Sequence, residues 1–226
     1  MASEYGLTVS KDTIGRRLDA AGLCARVPVK KPLIRAKNRK IRLTFAKEHE
    51  SWTTKDWKKV LWSDESKFNL FGSDGRRYIR RPKGTRMDPR YQRPTVKHGG
   101  GSVMVWGAFH HGGVGPLVHI DGIMDQNVYK NILEDHMLPY ARKKVSRSVR
   151  GWMFQQDNDP KHTYKMVKNW FTAKKIKILD WPSQSADLNP IEHLWEHLGR
   201  KVGTRKHSSK TELLQDLQSE WAKIPS

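Results

Sequence analysis

Apolar positions recur along the chain in two rhythms. Between Ser10 and Gly22 they fall at Ile14, Leu18 and Ala21, behind a serine that suits an N-cap and ahead of a glycine that suits a stop. That spacing predicts a short amphipathic helix. Residues 35–52 follow the same helical period and are expected to turn Ile41, Leu43, Phe45 and Trp52 inward. The rhythm then shortens. Residues 58–72 are apolar and β-prone, and Val60, Leu61 and Trp62 run directly into the polar cluster Ser63-Asp64-Glu65-Ser66, so a strand delivers Asp64. Residues 102–109 and 116–122 read as a hairpin about Gly112 and Gly113. A helix over 125–144 follows, then strand 152–156, helix 162–174, strand 175–181 and a helix over 189–202. Alternation with short connections requires crossovers and partly parallel strands, which predicts a mixed α/β sheet. Residues 72–98 are rich in Arg, Pro and Gly and poor in apolar residues, so they read as an excursion from that core.

Composition adds a partner to this outline. The chain has 226 residues, 36% of them hydrophobic, with nine Trp, which is the make-up of a packed globule rather than a disordered chain. Forty-three Lys and Arg against twenty-three Asp and Glu leave a net charge of +20, and a field of that sign favours a polyanion, with nucleic acid the default. An apolar run of membrane-spanning length and a signal-like N-terminus are both lacking, which sets aside a membrane binder. The single Cys24 leaves no intramolecular disulfide and no cysteine-based zinc site, as suits a reducing compartment.

The basic charge is unevenly placed. Residues 26–42 are dense in Lys and Arg and free of acid, reading as a basic linker that runs into a helix. Lys30, Lys31, Arg35, Lys37, Arg39 and Lys40 are the candidate DNA contacts there, with nuclear import a further use of the same run. Arg16 and Arg17 on the first helix suit the recognition helix of a helix-turn-helix.

Three carboxylates carry candidate chemistry: Asp64 at the end of the first strand, Asp157 at the end of the strand after the long helix, and Glu192 on the first turn of the helix that Pro190 opens. Strand ends and their loops form the crevice of an open α/β sheet, so the three can converge. Crowded acids repel, a divalent cation relieves them, and hard oxygen donors favour magnesium or manganese, with a pair of ions suited to phosphoryl transfer. Structural roles stand beside this reading. Asp64 could cap a turn, and Asn189 with Glu192 has the spacing of a capping box. Glu65 and Asp159 read as structural, the latter because it precedes a proline. Lys161 and His162 read as a solvated helix start or as a phosphate contact at that terminus.

The blocks "WSDESKF", "KHGGGSVMVWGAF", "FQQDNDPKHT" and "WPSQSADLNPIEHLW" resemble successive blocks of the mariner-superfamily cut-and-paste transposases, closest to the Sleeping Beauty-like branch, over roughly residues 38–224. The resemblance implies a ribonuclease-H-like α/β fold and an Asp, Asp, Glu triad with thirty-four residues between its last two members. Thirty-four residues lie between Asp157 and Glu192, so that spacing selects Asp157 over Asp159 beside Asp64. It implies Mg2+ or Mn2+, two ions, hydrolysis at transposon ends, strand transfer by the freed 3′-hydroxyl into a TA step, and a nuclear site of action. It also implies a homodimer on double-stranded DNA, with 72–98 as an inserted loop that clasps the partner. By the same resemblance residues 1–25 are the remnant of a DNA-binding helix-turn-helix, 26–56 a basic linker and helix, and 57–226 the catalytic domain. Two alternatives share these residues: a plain ribonuclease-H-like nuclease without strand transfer, and a domesticated DNA-binding protein without catalysis.

Overall fold

The computed structural model describes residues 10–24, 33–70, 82, 84–85, 88 and 101–225. Lys30, Lys31 and nearly all of the expected clasping loop at 72–98 therefore lie outside the described residues. The chain forms two compact units, residues 1–35 and 36–226.

In the first unit, α1 (Lys11–Ala20) begins as its sequence dictates: the Ser10 side chain accepts from the Thr13 amide at 3.2 Å. It ends at Gly22, whose φ of +78° is open to glycine at little cost. The helix buries no residue, and its apolar positions Ile14 and Leu18 remain exposed.

The second unit is built on a five-stranded sheet of order β3-β2-β1-β4-β5. Strands β1 (Val60–Asn69), β2 (Ser102–His110) and β3 (Gly113–Ile120) form an antiparallel meander, and the expected hairpin turns at residues 111–112. Strands β4 (Met153–Phe154) and β5 (Lys177–Ile178) add in parallel to β1, giving the mixed sheet. Both are shorter than the sequence pattern suggests, because backbone pairing stops soon after Phe154 and Ile178. Against one face lie α4 (Gln126–Ile132), α5 (Leu138–Tyr140) and α6 (Ser146–Ser148), joined by π turns at Leu133–Met137 and Ala141–Val145, together with α8 (Lys165–Lys174). Against the other lie α9 (Ile191–Val202) and α10 (Lys210–Ala222). The period-2 alternation of β2 sorts the two cores: Trp106 and Ala108 enter the first, Val103 and Val105 the second.

A third cluster joins α2 (Ala36–Glu48) to the sheet through Phe45, Val60, Trp62 and Trp181, with Trp52 and Trp57 packed against it. The helix grouped with the basic linker by its charge is thus packed on the catalytic body. Of its expected inward positions only Phe45 is buried; Ile41 and Leu43 are exposed, since one narrow stripe is all that α2 turns to the sheet. The expected helix 162–174 is broken: α7 (Pro160–Thr163) ends where Tyr164 adopts extended backbone, and α8 starts anew. The short α3 (Thr54–Trp57) and α10 were not read from the pattern, although Ser209, whose hydroxyl accepts from the Glu212 amide, gives α10 a visible start. No helix among the described residues is long and apolar enough to cross a membrane.

Candidate active site

Asp64 sits within β1, not at its end. The parallel partner β4 stops pairing after Leu61 and Phe154, so Asp64 lies where one neighbour has turned away and the strand flank opens. Asp157 follows three residues beyond β4. A cavity of about 310 Å³ is lined by both, by Asn158 and Asp159, and by the stretch 181–186 with Asn189.

Glycine brings the third acid near. Gly107 is the register partner of Asp64 on β2, and a Cβ there would stand 2.5 Å from Trp195 Cη2. The missing side chain lets α9 press Trp195 onto the sheet, where it meets Phe68 edge-on and stacks on Trp221. Glu192 is on the first turn of α9. Asn189 sets that turn's position: its side chain donates to the carbonyl of Ser63, next to Asp64, at 3.1 Å, and accepts weakly from the Ile191 amide. The capping-box role is not taken up, for no hydrogen bond joins the Glu192 carboxylate to the Asn189 amide; Glu192 stands near enough to act on the charge of Asp64 but does not itself line the cavity.

The electrostatics separate the acids. Burial, then the charges of Glu65, Glu192 and Asp157, push the Asp64 carboxyl up to about 7. Burial raises Glu192 as well, with a smaller opposing effect of His193. For Asp157, partial burial would raise the carboxyl, yet the hydrogen bond from His162 and others leave it below the usual range. His162 Nδ1 stands 2.6 Å from Asp157 Oδ1, and Nε2 stands 3.2 Å from Glu65 Oε1, a charge contact too poorly aligned to be a hydrogen bond. Burial would lower the imidazole, but the two carboxylates outweigh it and carry it up to about 9. The ring also lies against Tyr129, centroids 4.0 Å apart.

This placement revises one expectation. His162 is only 2% exposed and is turned to Asp157 and Glu65, so it does not meet a DNA phosphate. Lys161 is partly exposed, its charge engaged by Asp159 at 2.7 Å. Asp159 is the N-cap of α7, accepting from the Lys161 amide, the structural role its proline neighbour suggested. Arg16, Arg17, Arg35, Lys37, Arg39 and Lys40 are exposed.

Sequence reasoning passed over the pocket wall. From α2, Arg42 holds Asp187 through two bonds of 2.7 Å and the Gln184 carbonyl at 2.9 Å, while Asn38 holds the Gln184 side chain at 2.8 Å. Gln184 has a φ of +56°, a left-handed conformation that needs such support in a residue other than glycine. Asn158 ties the same wall to the Asp157 loop by donating to the Trp181 carbonyl at 2.6 Å. Arg42 lies inside the basic run, where a clamp and a phosphate contact look alike.

The donor set fits a hard divalent cation in kind: three carboxylates and no thiolate, with Asp64 pushed towards neutrality by burial and then by its acidic neighbours. Among the described residues, no group of three or more His, Cys, Asp or Glu side chains stands ready-made to hold an ion. A mixed sheet that gathers carboxylates at the open flank of its central strand is the architecture of a ribonuclease-H-like nuclease.

Comparison with known proteins narrows the class. A family model described as DDE superfamily endonuclease matches residues 59–214, and one described as Transposase matches residues 1–51. The Tcb1 transposase of Caenorhabditis briggsae and the Tc1 transposase of Caenorhabditis elegans are each 55% identical over 216 residues, covering 96% of this chain and 78% of theirs. The solved structure of the mariner Mos1 paired end complex with Mg matches with a TM-score of 0.74 at 18% identity, covering 98% of this chain and 68% of that one, a likeness of fold. The chain belongs to the DDE superfamily endonucleases, as a Tc1-like cut-and-paste transposase.

Proposed function

We propose that Asp64, Asp157 and Glu192 are the catalytic triad of this transposase. The observation that carries the reading is the shared pocket of Asp64 and Asp157, with Glu192 outside its lining yet near enough to add, after burial and Glu65, to what lifts the Asp64 carboxyl. The three would hold Mg2+ or Mn2+, as two ions, and the Mg of the Mos1 complex supports this choice. Such ions, when bound, supply activation of the attacking oxygen and neutralisation of charge on the phosphorane-like transition state.

The chain's own residues set the stage for that chemistry. Asp64 offers its carboxylate from a rigid central strand, and Glu192 from a helix fixed by Trp195 and Asn189. His162 and the Asp159 amide share one oxygen of Asp157, Oδ1, and the side chain keeps half its surface open. The Arg42 clamp keeps the wall at 181–189 in place as DNA enters. In the proposed reaction, water breaks phosphodiesters at the transposon ends and each freed 3′-hydroxyl displaces a target oxygen at a TA step. Double-stranded DNA is held by Arg16, Arg17, Lys30, Lys31, Arg35, Lys37, Arg39 and Lys40, two copies of the chain act together, and the site of action is the nucleus. The exposure of the described members of that set and the net charge of +20 support the DNA contacts.

The test is strand transfer from a pre-cleaved transposon end into a TA-bearing duplex with Mg2+ or Mn2+. Joined product is expected. Hydrolysis without joining would mark a plain nuclease, and DNA binding without either reaction a non-catalytic binder.

A further inference from the structure

The helical segment that starts beside the active site ends in a cationic surface with no assigned role. Tyr129 of α4 packs on His162, which fixes the start of the segment near Asp157. Eighteen residues later, on the order of 25 Å along a helix, Arg147 lies at the opposite end, where Ser146 takes a hydrogen bond from Trp152 just before β4 begins. Arg142, Lys143, Lys144, Arg147 and Arg150 are all exposed there, while Ala141 before them and Val145 among them are fully buried. The core thus anchors the backbone and the cations project outward. A hollow of about 300 Å³ is lined by Lys143, Lys144, Arg147 and Ser148.

What separates this patch from ordinary solvated charge is its lack of compensation. Lys130 and Lys174 nearby share Glu134, and Arg200 has Glu196. None of the five cations has an ion pair among the described residues, and residues 141–150 contain no acid. Cations do suit a helix C-terminus, but that effect is small and fades within the last turn. It does not account for Arg150, which lies beyond α6. A cluster of uncompensated cations matches the spaced charges of a phosphodiester backbone and offers no acidic or apolar feature for a protein partner.

We propose that residues 142–150 form a DNA-backbone surface separate from the catalytic pocket, seating duplex that the pocket itself does not hold. The surface reads phosphates and not sequence, since no element here is shaped to enter a groove.

The test uses the full chain and a duplex of about 40 base pairs without transposon sequence, in buffer free of divalent metal, so that its outcome is independent of the triad. Lys143→Gln, Lys144→Gln and Arg147→Gln are combined, with Lys143→Arg, Lys144→Arg and Arg147→Lys as the charge-keeping control. The neutral variant should bind at least 10-fold more weakly in low salt, and the slope of log affinity against log salt should shrink by up to about 2.7, or roughly 0.9 for each phosphate no longer neutralised. The control variant should bind like the parent. An unchanged slope and affinity in the neutral variant would overturn the proposal, as would equal weakening in the control, which would trace the effect to packing.

Discussion

His162 bridges Asp157 and Glu65, with Nδ1 2.6 Å from one carboxylate and Nε2 3.2 Å from the other, in a ring position almost closed to solvent. Two acids from different elements, β1 and the loop after β4, are thereby held together by one cation. Replacing His162 with Ala leaves Glu65 buried and unpaired. Loss of one partner of a buried pair costs about 3–5 kcal/mol, and the half-exposed Asp157 places this case near the lower end, at about 3 kcal/mol. Chemical denaturation of His162→Ala and the parent measures the difference; equal midpoints would contradict the bridge.

Gly107 tests how Glu192 is brought to Asp64. A methyl group at this position would press on Trp195, whose indole also stacks on Trp221. Gly107→Ala should therefore destabilise by about 1–3 kcal/mol through overpacking and lower cleavage by displacing α9. Trp195→Phe in the same background makes room and should restore part of both, as read by thermal unfolding and single-turnover cleavage. No recovery in the double variant would place the strain elsewhere.

Acid sensitivity should appear at α10. Hydrogen bonds from Lys223 and Arg205 hold the Glu220 carboxyl down at about 2, below its ordinary value of 4.5. A depressed carboxyl contributes stability that is full above its unfolded value and is lost as pH falls through the folded one. The parent should lose melting temperature between about pH 4.5 and pH 2, and Glu220→Gln should start lower at neutral pH and fall less over that window. Parallel curves for the two proteins would rule the contribution out.

On α2, Lys37, Arg39 and Lys40 are exposed beside a clamp residue, Arg42, that is not. Changing the three to Gln should weaken all duplexes alike and flatten the salt dependence by about 0.9 for each phosphate left without its cation, with unfolding unaltered. Changing Arg42 to Gln should instead disturb the pocket wall and slow cleavage with little change in salt slope. Matching salt slopes for the two variants would show that α2 does not divide its labour this way.

Much of this site could be read from residue order. The run Val60-Leu61-Trp62 before Asp64, the acidic loop after Phe154, and Pro190 ahead of Glu192 mark their elements by local pattern, and local pattern is what a single chain displays. Contacts across long separations were hidden. Arg42 finds Asp187 across 145 residues and Asn189 finds Ser63 across 126, and neither side chain differs locally from a solvated one. His162 follows the same logic: beside Lys161 at a helix start it looks exposed, and the distant Glu65 of β1 and Tyr129 of α4 enclose it. The apolar positions Ile41 and Leu43 misled for the opposite reason, since helical spacing gives a stripe but not how much of it a sheet covers.

The pair Asp157 and Asp159 decides the catalytic assignment. Both line the pocket, but Asp159 is committed to capping α7 and pairing with Lys161, whereas Asp157 keeps half its side-chain surface open. Asp157→Asn and Asp159→Asn make the same chemical change two positions apart, and Asn is itself a good cap. The measurement is Mg2+-dependent cleavage of a transposon end by both variants, with thermal unfolding recorded in parallel. The triad reading predicts that Asp157→Asn loses cleavage by at least about 1000-fold, some 4 kcal/mol of transition-state stabilisation, while remaining folded, and that Asp159→Asn keeps most of its activity. Robust cleavage by Asp157→Asn, or an equal collapse in a folded Asp159→Asn, would contradict it.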